Sequence, residues 1–203
     1  MIFEQLFDQK SSTYTYIIAS GEGREALIID PVIEHSDEYS TILKNLDLKL
    51  VKVIDTHIHA DHISALNELN KRTNCIRVMG EKSKSEVIDL RIKDGEKIKV
   101  EEVELQAIYT PGHTDCSYSF LMNDRVFTGD TLLINGSGRT DFQNGNAYDA
   151  YDSIFNKLLK LPEKTLVFPA HDYNGKKFST IENEKNNNPR LQVLSLIHIS
   201  EPT

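Results

Sequence analysis

Cysteine is scarce in this sequence of 203 residues: Cys75 and Cys116 are the two present, and neither stands in a Cys-x-x-Cys pair. That excludes a disulfide framework, and a reducing cytoplasm is the expected compartment. Positive charge is also short. Lysine and arginine number 23 against 31 aspartate and glutamate, a net charge of -8, which argues against non-specific binding to nucleic acid or anionic membrane. No apolar stretch has the length needed to span a bilayer. The opening residues Met1-Ile2-Phe3-Glu4-Gln5 lack the basic region and apolar core of a signal peptide, and they are acidic where a mitochondrial presequence is basic. Internal repeats, low-complexity linkers and blocks of like charge are absent. One domain over 1–193, long enough for a proper core, is therefore expected.

What the chain does have is a dense group of metal-ligand residues, Thr56-His57-Ile58-His59-Ala60-Asp61-His62. An apolar run over 50–55 reads as a buried strand before it, and an amphipathic run over 63–69 reads as a helix after it. His57 and His59, two apart at a strand end, can point to one side. Asp61 suits a helix N-cap, with His62 at the helix start. Burying this cluster without a metal would leave several polar groups unpaired, so metal binding is the better reading.

The rest of the pattern reads as strands over 14–19 and 26–30, a helix over 37–46, and strands over 76–79, 98–100 and 103–109. A hairpin over 117–128 turns at Asn123-Asp124, a helix spans 147–161 and stops at Pro162, and a last buried strand covers 165–169. Mixed strands flanked by helices favour a layered α/β or α+β architecture. Three more ligand types follow predicted strands: His113 in Thr110-Pro111-Gly112-His113-Thr114, where Pro-Gly forces a turn, Asp130 in Phe127-Thr128-Gly129-Asp130-Thr131, and His171 in Phe168-Pro169-Ala170-His171-Asp172.

With His57, His59, Asp61, His62, His113, Asp130 and His171 in this order, the chain resembles the metallo-β-lactamase superfamily. That resemblance implies an α+β fold, a four-layer αββα sandwich with a metal site at one edge of its two sheets. Within the superfamily, the stretch 129–143 (Gly-Asp-Thr-Leu-Leu-Ile-Asn-Gly-Ser-Gly-Arg-Thr-Asp-Phe-Gln), Pro169-Ala170-His171-Asp172-Tyr173 and Asn188-Pro189-Arg190-Leu191 are similar to the persulfide dioxygenases of the ETHE1 type. The resemblance implies oxidation of glutathione persulfide, or a related thiol persulfide, by O2 to sulfite and free thiol. It further implies one Fe(II) per chain held by His57, His113 and Asp130, with His59, Asp61, His62 and His171 in supporting positions, and it leaves a homodimer open. Two imidazoles and a carboxylate on one face leave three positions for substrate sulfur and O2. Glutathione is anionic, so Arg139, whose guanidinium can clamp a carboxylate, is the candidate for holding it, with Tyr173 as a hydrogen-bonding partner. A loop-bracing pair between Arg139 and Asp141 and a packing role for Tyr173 are the competing readings.

The main alternative is a thiolester hydrolase resembling glyoxalase II. It would use all seven ligand residues to hold two Zn, Fe or Mn ions around a bridging hydroxide. The loop Arg139-Thr140-Asp141-Phe142-Gln143 counts against it, because the hydrolases' loop reads Arg-x-Phe-Glu-Gly. A non-catalytic protein that binds metal or persulfide is the third reading. Residues 195–203, Ser-Leu-Ile-His-Ile-Ser-Glu-Pro-Thr, resemble a peptide translated from a sequencing adapter at a broken frame. The stretch 194–203 is therefore expected to be non-native, the gene product to be truncated at its C-terminus, and His198 to have no role.

Overall fold

Seven consecutive buried residues form strand β2 (Thr13–Ala19), and alternation along a strand explains how all seven are covered. Tyr14, Tyr16 and Ile18 join one apolar cluster, while Ile17 and Ala19 join another on the opposite face. A strand buried on both faces needs a layer on each side, and the chain supplies them. In a computed structural model of the chain, residues 1–192 are described; the stretch 194–203, with His198, lies outside them. One sheet runs in the order β1 (Ile2–Asp8), β2, β3 (Glu25–Ile29), β4 (Lys49–Ile54), β5 (Ile76–Gly80), β6 (Leu90–Ile92). The other runs β12 (Ser179–Thr180), β11 (Leu166–Pro169), β10 (Arg125–Gly129), β9 (Tyr118–Leu121), β8 (Val103–Tyr109), β7 (Lys97–Val100).

The sheets pack face to face through Tyr16, Leu27, Ile54, Leu105, Phe120 and Phe127. Outside the first sheet lie α1 (Ser36–Asn45) and α2 (Leu66–Thr73), through Tyr39, Leu43, Leu66 and Leu69. Outside the second lie α3 (Ala147–Tyr151) and α4 (Ile181–Asn187), with Ile154, Leu158 and Ile181 against Val126 and Val167. The result is the expected α+β αββα sandwich.

Two helices differ from expectation. The run over 63–69 predicts a helix capped by Asp61, yet α2 begins at Leu66, so Asp61 is not an N-cap and His62 is not helical. The segment before it is pinned to the loop after β3 by Ile33 N–H to Ile63 O (2.9 Å), Ala65 N–H to Pro31 O (2.8 Å) and a bridge between Val32 and Ser64. These bonds hold the backbone out of helical geometry and leave the Asp61 carboxylate to other partners. The helix predicted over 147–161 starts as α3, loosens to a π-helical stretch at Asp152–Lys157 and tightens to a 3-10 turn at Leu158–Lys160. Asn146 caps it, its Oδ1 accepting from the N–H of Tyr148 (2.8 Å) and Asp149 (3.1 Å). β1, β6, β12 and α4 have no counterpart in the sequence reading. β1 is a half-buried edge strand without clean alternation, and β6 and β12 are only three and two residues long.

Candidate metal centre

The turns after β4, β8, β10 and β11 open on one edge of the sandwich, and each carries ligand residues. Backbone contacts set where each turn sits. Gly112 (φ +140) lies against α3 so closely that a Cβ there would meet Ala150 Cα at 2.3 Å. Ser153 Oγ donates to Pro111 O (2.6 Å), fixing the turn that presents His113. Gly138 N–H donates to Asp130 O (2.8 Å), folding the loop after β10 back on itself.

His57, His113 and Asp130 each offer one ligand atom, and these atoms lie within 4.8 Å of one another. His57 Nε2 stands 3.9 Å and His113 Nε2 3.5 Å from Asp130 Oδ2. Hydrogen bonds behind them fix the tautomers. The Thr56 hydroxyl is 2.9 Å from Asp30 Oδ2 and gives its single proton to that carboxylate. It must then accept from His57 Nδ1–H (2.9 Å), leaving the His57 Nε2 lone pair bare. His113 Nδ1–H donates to the carbonyl of Arg139 (2.9 Å), which can only accept, so His113 Nε2 is likewise a lone pair. Asp130 Oδ1 accepts from His171 Nδ1–H (2.6 Å), which turns Oδ2 toward the two imidazoles. Burial would raise the Asp130 carboxyl, but the charge and hydrogen bond of His171 hold it well below the usual carboxylate range. Burial keeps His57 neutral by driving its pKa down. Two imidazole lone pairs and an ionised carboxylate oxygen converging on one point are a donor set that fits a divalent metal.

His59, Asp61 and His62 offer ligand atoms that likewise lie within 4.8 Å of one another, and hydrogen bonds link them to the residues around them. His171 gives its second proton, on Nε2, to Asp61 Oδ2 (3.0 Å). Burial opposes an imidazolium there, yet the two carboxylates push His171 up to about 11. Thr13 Oγ lies 3.2 Å from Asp61 Oδ2 and 3.1 Å from His171 Nε2. His62 Nδ1 donates to Asp61 (2.9 Å) and His59 Nε2 to Asp30 (3.2 Å). The remaining nitrogens, His62 Nε2 and His59 Nδ1, are buried without a partner. Thr13, Asp30 and Thr56 were not found by sequence reasoning. Nothing in their neighbourhoods marks them, apart from the adjacency of Thr56 to His57.

A cleft of about 890 Å³ opens over this cluster, lined among others by Asp61, Asp130, Gly138, Arg139, Phe142 and Tyr173. Tyr173 is 72% exposed, with its ring parallel to the His171 imidazole at 6.2 Å. The Arg139 side chain borders the cleft but is held by Asp141 in a bidentate pair (2.7 and 3.0 Å), while its carbonyl braces His113. Cys116 is a buried free thiol 3.4 Å from Thr114 Oγ.

The family model of the metallo-beta-lactamase superfamily matches residues 9–89 and 78–171. The chain belongs to the metallo-β-lactamase superfamily. Within this superfamily it is 42% identical over 196 residues to the mitochondrial persulfide dioxygenase ETHE1 of Mus musculus, covering 95% of this chain and 77% of that one. The crystal structure of ETHE1 from Myxococcus xanthus superimposes with a TM-score of 0.95 at 47% identity, covering 98% of this chain and 88% of that one. The hydroxyacylglutathione hydrolase of Dictyostelium discoideum is 30% identical over 185 residues, 86% of this chain and 68% of that one, a more distant likeness.

Proposed function

We propose that this chain is a persulfide dioxygenase that uses one Fe(II) to convert a low-molecular-weight thiol persulfide, O2 and water to thiol, sulfite and protons, with glutathione as the carrier that the likeness favours. The observation that carries this reading is the convergence of three ligand atoms, from two imidazoles and a carboxylate, on one point. His57, His113 and Asp130 aim unengaged atoms at one point, whereas both nitrogens of His171 and one oxygen of Asp61 are spent on each other and on Asp130. The 42% identity to a persulfide dioxygenase supports the same reading. Iron held there by His57, His113 and Asp130 would supply the chemistry that activates dioxygen toward the persulfide sulfur. The protein's own contribution is orientation. Thr56 and the Arg139 carbonyl fix the ligand tautomers, and His171 steers the Asp130 carboxylate. Arg139 reaches a substrate carboxylate once it exchanges Asp141 for it.

One observation favours the two-metal thiolester hydrolase: the unpartnered lone pairs of His59 Nδ1 and His62 Nε2 are atoms that a second ion would use. Metal content and oxygen uptake on anaerobically purified protein separate the two. About one iron per chain with persulfide-dependent oxygen consumption, both lost in Asp130→Ala, is the expected result. Two ions per chain, no oxygen uptake and cleavage of a glutathione thiolester would replace it with the hydrolase.

A further inference from the structure

A carboxylate fully removed from water with no cation beside it is costly unless every lone pair is satisfied. Glu184 on α4 is such a group: it is 0% exposed, and no ion pair among the described residues includes it. Its Oε2 accepts from the backbone N–H of Asn135 (2.9 Å) and from Asn188 Nδ2 (2.7 Å). Its Oε1 accepts from Ser179 Oγ (2.5 Å) and Asn183 Nδ2 (3.2 Å). Asn188, also fully buried, donates in addition to Gly136 O (3.0 Å). Two of these bonds therefore grip one tight turn, in which Leu133 and Gly136 exchange backbone bonds (3.1 and 3.2 Å) and Asn135 has φ +57. Asparagine adopts this left-handed conformation more readily than other non-glycine residues, and the Glu184 bond to its N–H fixes the turn in place.

That turn is a wall of the cleft, and it is coupled to the ligands without slack. Gly138, two residues beyond Gly136, bonds Asp130 O, and a Cβ on it would lie 2.1 Å from that oxygen and 2.9 Å from His113 Nδ1. Arg139 then supplies the carbonyl that orients His113. We propose that Glu184 is a positioning residue, its buried carboxylate clamping the 133–138 turn to α4 and thereby setting both the cleft wall and the His113 imidazole.

The test compares Glu184→Met, which removes both acceptors at similar length, with Glu184→Gln. The glutamine can keep its oxygen on Asn135 and Asn188 and give its amide to Ser179 Oγ, losing only the bond from Asn183 Nδ2, so it keeps the grip on the turn and serves as the rescue. Ile181→Ala, on the same helix but away from the turn, controls for lost stability. Cobalt(II) affinity, read anaerobically from the d–d absorption band, is expected to fall about tenfold in Glu184→Met and to stay within about twofold of the parent in Glu184→Gln. KM for the persulfide rises in the same order. The substrate arm rests on the dioxygenase reading; the cobalt arm does not, so a parent protein inert toward persulfide would sink that reading alone. Glu184→Met with the parent's cobalt affinity and band shape, and only a lowered melting temperature like that of Ile181→Ala, would overturn the proposal. Should Glu184→Met not fold, Asn188→Ala, which cuts the link to Gly136, is read by the same two outcomes.

Discussion

At the residue scale, single protons decide what the centre does. Thr56 has one hydroxyl proton, Asp30 takes it, and His57 is thereby committed to presenting Nε2. Thr56→Val keeps the volume and removes the relay, so His57 loses its tautomer restraint. Metal affinity is expected to fall about tenfold, measured by competition with a chromophoric chelator; unchanged affinity would mean that packing alone orients the ring. Away from the centre, His35 Nε2 bonds Asp8 (3.0 Å) and Nδ1 bonds Glu38 (2.8 Å). The Asp8 hydrogen bond raises His35 above its ordinary 6.5 against the opposing effect of burial. Burial would raise Asp8, but bonds from Ser11 and His35 outweigh it and hold Asp8 well below the usual carboxylate range. Because the folded His35 value is raised, its stabilisation is complete below pH 6.5 and is lost as pH climbs through that raised value. Asp8 contributes above about 3.8 and loses its contribution as pH falls through its depressed value. His35→Gln should therefore cost about 1 kcal/mol at pH 6 and less at pH 8. Urea melts at the two pH values check this, and an equal cost at both would refute it.

At the element scale, the loops after the strands matter more than the strands. The 133–138 turn has no regular structure, yet it touches α4, the Asp130 carbonyl and the His113 ring. Gly138→Ala places a methyl group where backbone oxygen already sits. The expected cost is about 1–3 kcal/mol together with reduced metal retention, since the loop must shift and take the Arg139 carbonyl with it. A Gly138→Ala protein with the parent's melting temperature and metal content would show that the turn moves freely. The late start of α2 follows the same logic. Bonds to the 31–33 backbone keep Ile63 and Ser64 out of the helix, and Asp61 stays within reach of His171 and Thr13.

At the scale of the whole molecule, the centre joins the two sheets. His57, His59, Asp61 and His62 follow β4 of the first sheet, while His113, Asp130 and His171 follow β8, β10 and β11 of the second. A metal drawing ligands from both sheets binds the folded state alone and so stabilises it. At a free metal concentration of one hundred times Kd the gain is about 2.7 kcal/mol. For a chain of this size that corresponds to a rise of roughly 5–10 °C in melting temperature. Calorimetry with and without a chelator measures it, and Asp130→Ala should show no such response. A chelator that leaves the parent's melting unchanged would mean that no metal links the sheets.

The seven candidate ligand residues stand out in the sequence because ligand chemistry is a property of residue type and close spacing. The strands before them were legible because period-two burial is local: β2, β3, β4, β5, β8 and β10 all stand where alternation or a short apolar run placed them. The four-layer architecture and the family likeness followed from the order of those motifs. What alternation could not reveal were β1, β6, β12 and α4, whose burial patterns are mixed or too short to have a period. The supporting chemistry was hidden for a different reason. Asp30 reaches Thr56 across 26 positions, Glu184 reaches Asn135 across 49, and His171 reaches Asp61 across 110. The sequence by itself determined which residues can bind a metal and roughly where the sheets run. Only the tertiary structure decided which lone pairs face the metal position, that Asp141 holds the Arg139 guanidinium, and that Glu184 grips the cleft wall. Those outcomes depend on hydrogen bonds that form only when the loops at the edge of the sandwich take up their folded positions, from the two-residue reach of Arg139 to Asp141 to the 49-residue reach of Glu184 to Asn135.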